Sequence, residues 1–213
     1  MRILPWAALC LGAYGLLGGI GSGSTPGSDE CMHSVAALRL FELVRLGDWT
    51  GFWSEFHKPD FYTPLGRLGM SLGYLGGLGY DSPRTATAWA WILTVGLCIP
   101  LSRRVAGGGS VGALASTLCV AMMLGSWLTV SYCRTAFLEA WSALIMILAL
   151  SSYLKARDGN STAWSVACGL LLGMAILVKA TYGLFALGAV GLSGIIDLWQ
   201  RPDGVRPAAI ARN

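Results

Sequence analysis

Long apolar runs separated by short polar breaks dominate the chain. A bilayer is crossed by about 20 apolar residues, and runs of that kind are predicted at 3–20, 85–102, 110–130, 137–154, 163–179 and 181–199. The first two are separated by a mixed segment, 21–83. Within it, 30–46 places apolar Val35, Leu38, Leu40 and Val44 among charged Arg39, Glu42 and Arg45 at rough helical spacing. Gly47 stands where a left-handed residue would close that helix. A second helical piece is predicted at 64–80, with Gly69, Gly73 and Gly77 four apart on one smooth face. Between the two pieces, "DWTGFWSEFHKPDFYTP" is rich in aromatic residues and suits the membrane–water interface.

The pattern predicts an all-α integral membrane protein with about six transmembrane helices. A long first outer loop (21–83) holds two juxtamembrane helices, 30–46 and 64–80. A five-helix bundle follows over 85–199, then a basic inner tail over 200–213. The 64–80 piece is long enough to span if tilted, but that would move Arg103 and Arg104 outside and weaken the charge bias, so an interfacial helix is the better reading. The small residues after the first run also fit a secretory signal peptide. Either way, residue 21 is delivered to the outside.

Composition excludes a soluble domain: 54% of residues are apolar and 12% charged, against about 25% charged in soluble proteins. Charge sets orientation. With the N-terminus cytoplasmic, inner segments hold eight basic and three acidic residues, and outer segments seven basic and eight acidic. With no obvious retention signal, the bacterial inner membrane is the default location. Nothing points to nucleic acid, and there is no internal repeat, phosphate-binding glycine loop, nucleophile elbow or zinc-helix motif. Cys10, Cys98, Cys119 and Cys168 lie in apolar runs and read as packing residues. Cys31 and Cys133 lie in polar connections and could pair in an oxidising compartment. Asn160-Ser161-Thr162 is a glycosylation triplet on the inner side.

The ionisable residues near the runs gather at one face. Glu139 lies where the fourth run descends from outside, and Lys179 where the fifth arrives there. Arg134 sits in the outer turn between the third and fourth runs. Asp29, Glu30, His57 and Lys58 lie in the outer loop. Charges at membrane depth are costly and point to function. Each residue also has a plainer reading. Ser28-Asp29-Glu30 reads as a helix cap with acids in the first turn. Glu139 reads as a partner for Arg134 or Lys179, Lys179 as a snorkelling residue, and His57-Lys58-Pro59 as an interfacial turn.

The ordered set resembles a family. One short run is followed by an outer Asp-Glu opening a helix that ends in "GDW". A Lys-Pro comes before the second juxtamembrane helix, then the basic turn Arg103-Arg104. An acid starts the fourth run, and "LLLGMAILVKATYG" ends the fifth. This resembles the N-terminal half of the C-fold polytopic glycosyltransferases, nearest to the lipid A aminoarabinose transferases and the protein O-mannosyltransferases. The resemblance covers essentially 1–200. It implies inverting transfer of a sugar from a polyprenyl-phosphate donor to the hydroxyl of a lipid, glycan or protein acceptor at the outer face. It implies Asp29, with Glu30 beside it, as catalytic base or as support for a divalent metal ion, the one cofactor it suggests. Lys58 and Lys179, with Arg134, would hold the donor phosphate, and His57 and Glu139 would support them.

Three features depart from that family. Cys31-Met32-His33 follows the acids where relatives carry small, aromatic or basic residues. His57 replaces an acid found in some relatives. The chain also ends at Asn213, where family members run more than twice as long, so it reads as an incomplete domain that is inactive alone. The alternative function is a non-catalytic membrane scaffold or lipid-binding subunit.

Overall fold

The computed structural model describes residues 2–21, 27–58, 64–159 and 161–199. Every regular element among them is helical. In chain order these are α1 (Leu4–Gly18), α2 (Ser28–Leu46), α3 (Trp49–Phe56), α4 (Pro64–Ser71) with a 3-10 turn (Leu72–Gly76), α5 (Asp81–Val105), α6 (Gly109–Gly125), α7 (Trp127–Cys133), α8 (Glu139–Gly159), α9 (Thr162–Val178) and α10 (Ala180–Trp199). The predicted tail at 200–213 and Asn160 of the glycosylation triplet fall outside the described residues.

Among the described residues, α5 and the Ala180–Asp197 stretch of α10 are long and apolar enough to cross a membrane, and α1, α6 and α9 are shorter apolar helices. Helix α8 is amphiphilic at its ends, with Glu139 at one and Arg157 and Asp158 at the other. Its 21 residues rise ~30 Å at ~1.5 Å each, so these two sets of charges stand about a hydrocarbon thickness apart. The charges at the far end are tied together. Arg104 pairs with Asp158, Arg157 approaches Asp197 to 3.6 Å, and Tyr153 Oη donates to Asp197 Oδ2 at 2.8 Å.

Two groups of helices make the bundle. α1, α5 and α6 pack together, α8 pairs with α9 and α9 with α10, and α5 joins the groups by packing on α8. The contacts are made by small and branched residues. Leu16, Ala88, Ile92, Cys133 and Ala140 form one core cluster, and Ala149, Cys168, Leu172 and Ala186 another. Cys133 is buried in the first while Cys31 is exposed, and neither forms a disulfide. The predicted run 110–130 divides into α6 and α7 at Ser126, whose extended backbone ends the first helix.

The segment α2–α4 covers one end of this bundle. A third cluster joins it there: Ala37 of α2, Met70 of α4 and Tyr74 meet Ala136, Leu138, Ala175 and Val178. The face α2 buries is Glu30, His33, Ala37 and Leu40, while Val35 and Val44 are exposed. The α2 cap is Gly27, with Ser28 already helical, and Gly47 closes the helix with φ +69°. The first part of the aromatic segment, Trp49–Phe56, is itself helical. Asp48 caps α3 by accepting the Gly51 N–H at 2.8 Å.

The 64–80 piece is shorter than its sequence suggests. Eight helical residues in α4 rise ~12 Å, then the chain tightens into the 3-10 turn. Three of its glycines are points of close approach. A Cβ on Gly66 would strike Leu138, one on Gly69 the Trp141 ring, and one on Gly73 the backbone carbonyl of Ser82. Gly77 plays a different part, turning the chain at φ +137°. Because Ser82 offers backbone rather than a flexible side chain, Gly73→Ala is expected to destabilise by about 2–4 kcal/mol. A fall in the melting temperature of the detergent-purified protein checks this.

Candidate active site

Glu30 enters the structure from the first turn of α2 and is 3% exposed. A buried carboxylate needs partners, and it has three N–H donors. Arg84 of α5 grips it bidentately, Nε to Oε1 at 2.6 Å and Nη2 to Oε2 at 3.0 Å. The backbone N–H of Ala136 donates to Oε1 at 2.9 Å. Asp81, one turn before Arg84, accepts a further bond from its Nη1 at 3.3 Å. Glu30 therefore fixes α2 against both α5 and the α7–α8 turn. Burial within this pair commits Glu30 to position.

Its neighbour Asp29 is exposed. Helical spacing puts Asp29 on a strip with His33 on one side and with Met32 and Ala36 on the other, so it borders the buried face of α2. His33, one turn on, is 2% exposed. Burial and the Arg67 cation push its pKa down to about 4, Asp29 and Glu139 oppose that shift, and Lys179 adds slightly to it. The charges acting on this one ring thus come from α2, α4, α8 and the α9–α10 junction. The structure brings Asp29, Glu139 and Lys179 to the same neighbourhood, together with Arg67, which is buried on α4.

The neutral ring has a consequence for stability. Its folded pKa lies below the ordinary histidine value of 6.5, so the unfolded chain binds a proton that the folded one refuses. Above pH 6.5 neither form is protonated and stability is unaffected. As pH falls from 6.5 towards 4, His33 is expected to withdraw up to about 3 kcal/mol. His33→Gln is expected to flatten that part of the profile, as read by melting temperatures across the window.

Lys179 stands at a one-residue corner. Its backbone is extended and separates α9 from α10. The corner is tight because Gly183 lies directly on the Ile176 backbone, where a Cβ would overlap. The Lys179 Nζ donates to Glu139 Oε1 at 2.5 Å and lies 5.0 Å from the Tyr182 ring centre. Both members of this pair are about one third exposed, so the ammonium still reaches solvent.

Beside it runs a groove of about 680 Å³ between α5, α6, α8 and α10. Glu139 marks one part of its lining. Trp91, Met123, Met146, Leu150 and Val190 make much of the rest. Its walls are mostly apolar, and its volume is that of a ligand site. The buried Trp91 indole N–H has no hydrogen-bond partner among the described residues.

The remaining candidates sit elsewhere. Arg134 donates to the carbonyls of Gly15 at 2.6 Å and Leu16 at 3.2 Å, so it satisfies the open end of α1. His57 closes α3, with its Nδ1–H donating to the Trp53 carbonyl at 2.9 Å and its ring against Trp53. Lys58 lies 3.7 Å from Glu55 on a separate cavity. Among the described residues, no three His, Cys, Asp or Glu side chains converge to hold a metal ion.

The family described as dolichyl-phosphate-mannose-protein mannosyltransferase matches residues 71–210. The chain belongs to this family. It is thereby a membrane-embedded glycosyltransferase domain of the C-fold type, a class that uses lipid-linked sugar donors. The family match takes in Arg84, Arg134, Glu139 and Lys179, and begins after the α2 acids. No curated protein and no solved structure matches the chain.

Proposed function

We propose that the Asp29–Lys179 end of the bundle is where a sugar passes from a polyprenyl-phosphate donor to an acceptor hydroxyl. The observation that carries this reading is the joining of a charged cluster to an apolar groove: Glu139 both lines the groove and holds Lys179. A lipid donor needs an apolar channel for its chain and a cation for its phosphate at the same place.

In this reading the six longer hydrophobic helices (α1, α5, α6, α8, α9, α10) cross the bilayer, and α2–α4 lie at the outer face. The excess of basic residues at the opposite end supports that orientation. The donor chain occupies the groove and its phosphate meets Lys179. Asp29 accepts the proton of the acceptor hydroxyl while that oxygen attacks the sugar's anomeric carbon from the side opposite the phosphate. The bond from the anomeric carbon to the phosphate oxygen breaks, and the configuration inverts. The proton ends on Asp29, and the negative charge on a phosphate already facing a fixed cation. Glu30 and Arg84 hold the start of α2, and so Asp29, in place. Arg134 supports the same end by closing α1.

The test is donor binding. Lys179→Gln is expected to weaken binding of polyprenyl phosphate by about 10- to 100-fold, the loss of one charge-assisted hydrogen bond. Unchanged binding removes Lys179 from the donor site.

A further inference from the structure

Of the cysteines in the apolar helices, folding brings two together. Cys98 of α5 and Cys119 of α6 are hydrogen-bonded through their thiols. The Cys119 Sγ–H donates in turn to Met123 Sδ at 3.7 Å. Cys119 and Met123 stand one turn apart on one face of α6, and Cys98 meets them from the facing helix. Three sulfurs from two helices thus form one cluster. Both thiols are half-buried. Cys98 and Met123 line the groove of about 680 Å³, so the cluster is part of its wall and a small ion can reach it.

The cluster is held in register. Met123 packs against the buried Val95, Ile99 and Val120. Nearer the α5–α6 loop, Ser102 Oγ donates to Ser116 Oγ at 3.1 Å, and Ser116 Oγ lies 3.1 Å from the Ile99 carbonyl. These contacts fix the two helices that carry the sulfurs, which is the preorganisation a metal site needs.

Thiolate and thioether sulfur are soft ligands that select Cu(I), whereas hard cations take oxygen. Structural zinc is four-coordinate, with Cys, His or carboxylate ligands. Among the described residues, no third His, Cys, Asp or Glu joins Cys98 and Cys119. Metal–sulfur bonds of ~2.3 Å in a trigonal plane set the sulfurs ~4 Å apart, close to the observed 3.7 Å of Cys119 and Met123. We propose that Cys98, Cys119 and Met123 bind a Cu(I) ion. Binding exchanges one ion for one proton. The Cys119 S–H bond breaks, the proton leaves to water, and the lone pairs of the three sulfurs bond to copper. No electron is transferred. The net charge of the cluster is unchanged, so the apolar wall gains no unpaired charge. The site has no part in the sugar transfer and does not rest on that reading.

The experiment is an anaerobic titration of the full chain in detergent with Cu(I) supplied as its bicinchoninate complex, whose visible absorbance falls as the protein takes the ion. Saturable uptake of one Cu(I) per chain is expected, with only sulfur neighbours in the copper X-ray absorption spectrum. Cys98→Ser and Cys119→Ser are each expected to weaken uptake by about 100-fold or more, since losing a ligand costs at least as much as losing a group that supports one. Met123→Leu, which keeps both thiols, is expected to weaken it less. The combined Cys31→Ser and Cys133→Ser variant retains it. Melting temperatures identify any variant that fails to fold, and the X-ray spectrum of the wild type tests the ligand set without a substitution. Zn(II) displacing Cu(I) at equal concentration would keep the metal site and overturn the choice of ion. No uptake by the wild type, full uptake by the Cys98 and Cys119 variants, or nitrogen or oxygen neighbours around the copper would overturn the site.

Discussion

Asp29→Asn is expected to reduce sugar transfer by about 10²- to 10⁴-fold, the usual contribution of a positioned general base. The substitution keeps the size of the side chain and removes its ability to take a proton at neutral pH. Asp29 is exposed on the first turn of α2, so the melting temperature is expected to stay close to that of the wild type. Polyprenyl phosphate binding is also expected to persist, because the donor contacts assigned to Lys179 and the groove are untouched. This separation of chemistry from binding distinguishes a base from a structural acid. Transfer at the wild-type rate in the complete protein would remove Asp29 from the reaction.

The largest effect on stability is expected at the other acid of the pair. Glu30→Ala leaves the Arg84 guanidinium, 4% exposed, without the carboxylate that grips it bidentately. It also strips the Ala136 N–H of its acceptor. Breaking one side of a buried ion pair destabilises by about 3–5 kcal/mol. The protein is therefore expected to lose much of its folded population, and α2 to detach from the bundle. Replacing both partners with apolar residues of similar volume, Glu30→Leu with Arg84→Met, is expected to recover a large part of that loss, because neither charge is then stranded. Thermal unfolding followed by size exclusion checks both variants. If the single variant melts with the wild type, the buried pair is not what fixes α2.

The two acids of the opening Asp-Glu thus have different surroundings, one exposed and one buried, and the sequence alone does not separate them. Adjacent residues on a helix point about 100° apart. Which one turns inward depends on the face α2 presents to the bundle. That face is set by contacts distant in sequence: Arg84 lies 54 residues from Glu30 and Ala136 lies 106 away. His33, Arg67 and Arg84 carry no motif of their own. The only trace of the first is its place on the Glu30, His33, Ala37, Leu40 strip at helical spacing.

The membrane-parallel bookkeeping was more legible. Where apolar runs stop and charges begin, the positions of Glu139 and Lys179 at one end of α8 and α9 follow directly from run lengths. Their ion pair was one of the readings available for Glu139. Arg134 illustrates the limit. From sequence it is a cation near the site, whereas folding brings the end of α1 against it and its N–H groups go to carbonyls. The break at Ser126 has a local signal in the Gly125-Ser126 step, which the hydrophobicity continuing across it hides. The close packing of 64–80 has one too, in glycines that admit the bulky neighbours Leu138 and Trp141 and the Ser82 backbone.

The central claim is that a lipid-phosphate donor sits in the groove with its phosphate at Lys179. Photolabelling tests it most directly, using polyprenyl phosphate that carries a diazirine on its isoprenoid chain and the complete protein in membranes. The expected result is saturable labelling of peptides from α8 and α10, including the Met146–Leu150 stretch, competed by unlabelled polyprenyl phosphate and strongly reduced by Lys179→Gln. Labelling that cannot be competed, or that falls on other helices and ignores Lys179, would contradict it.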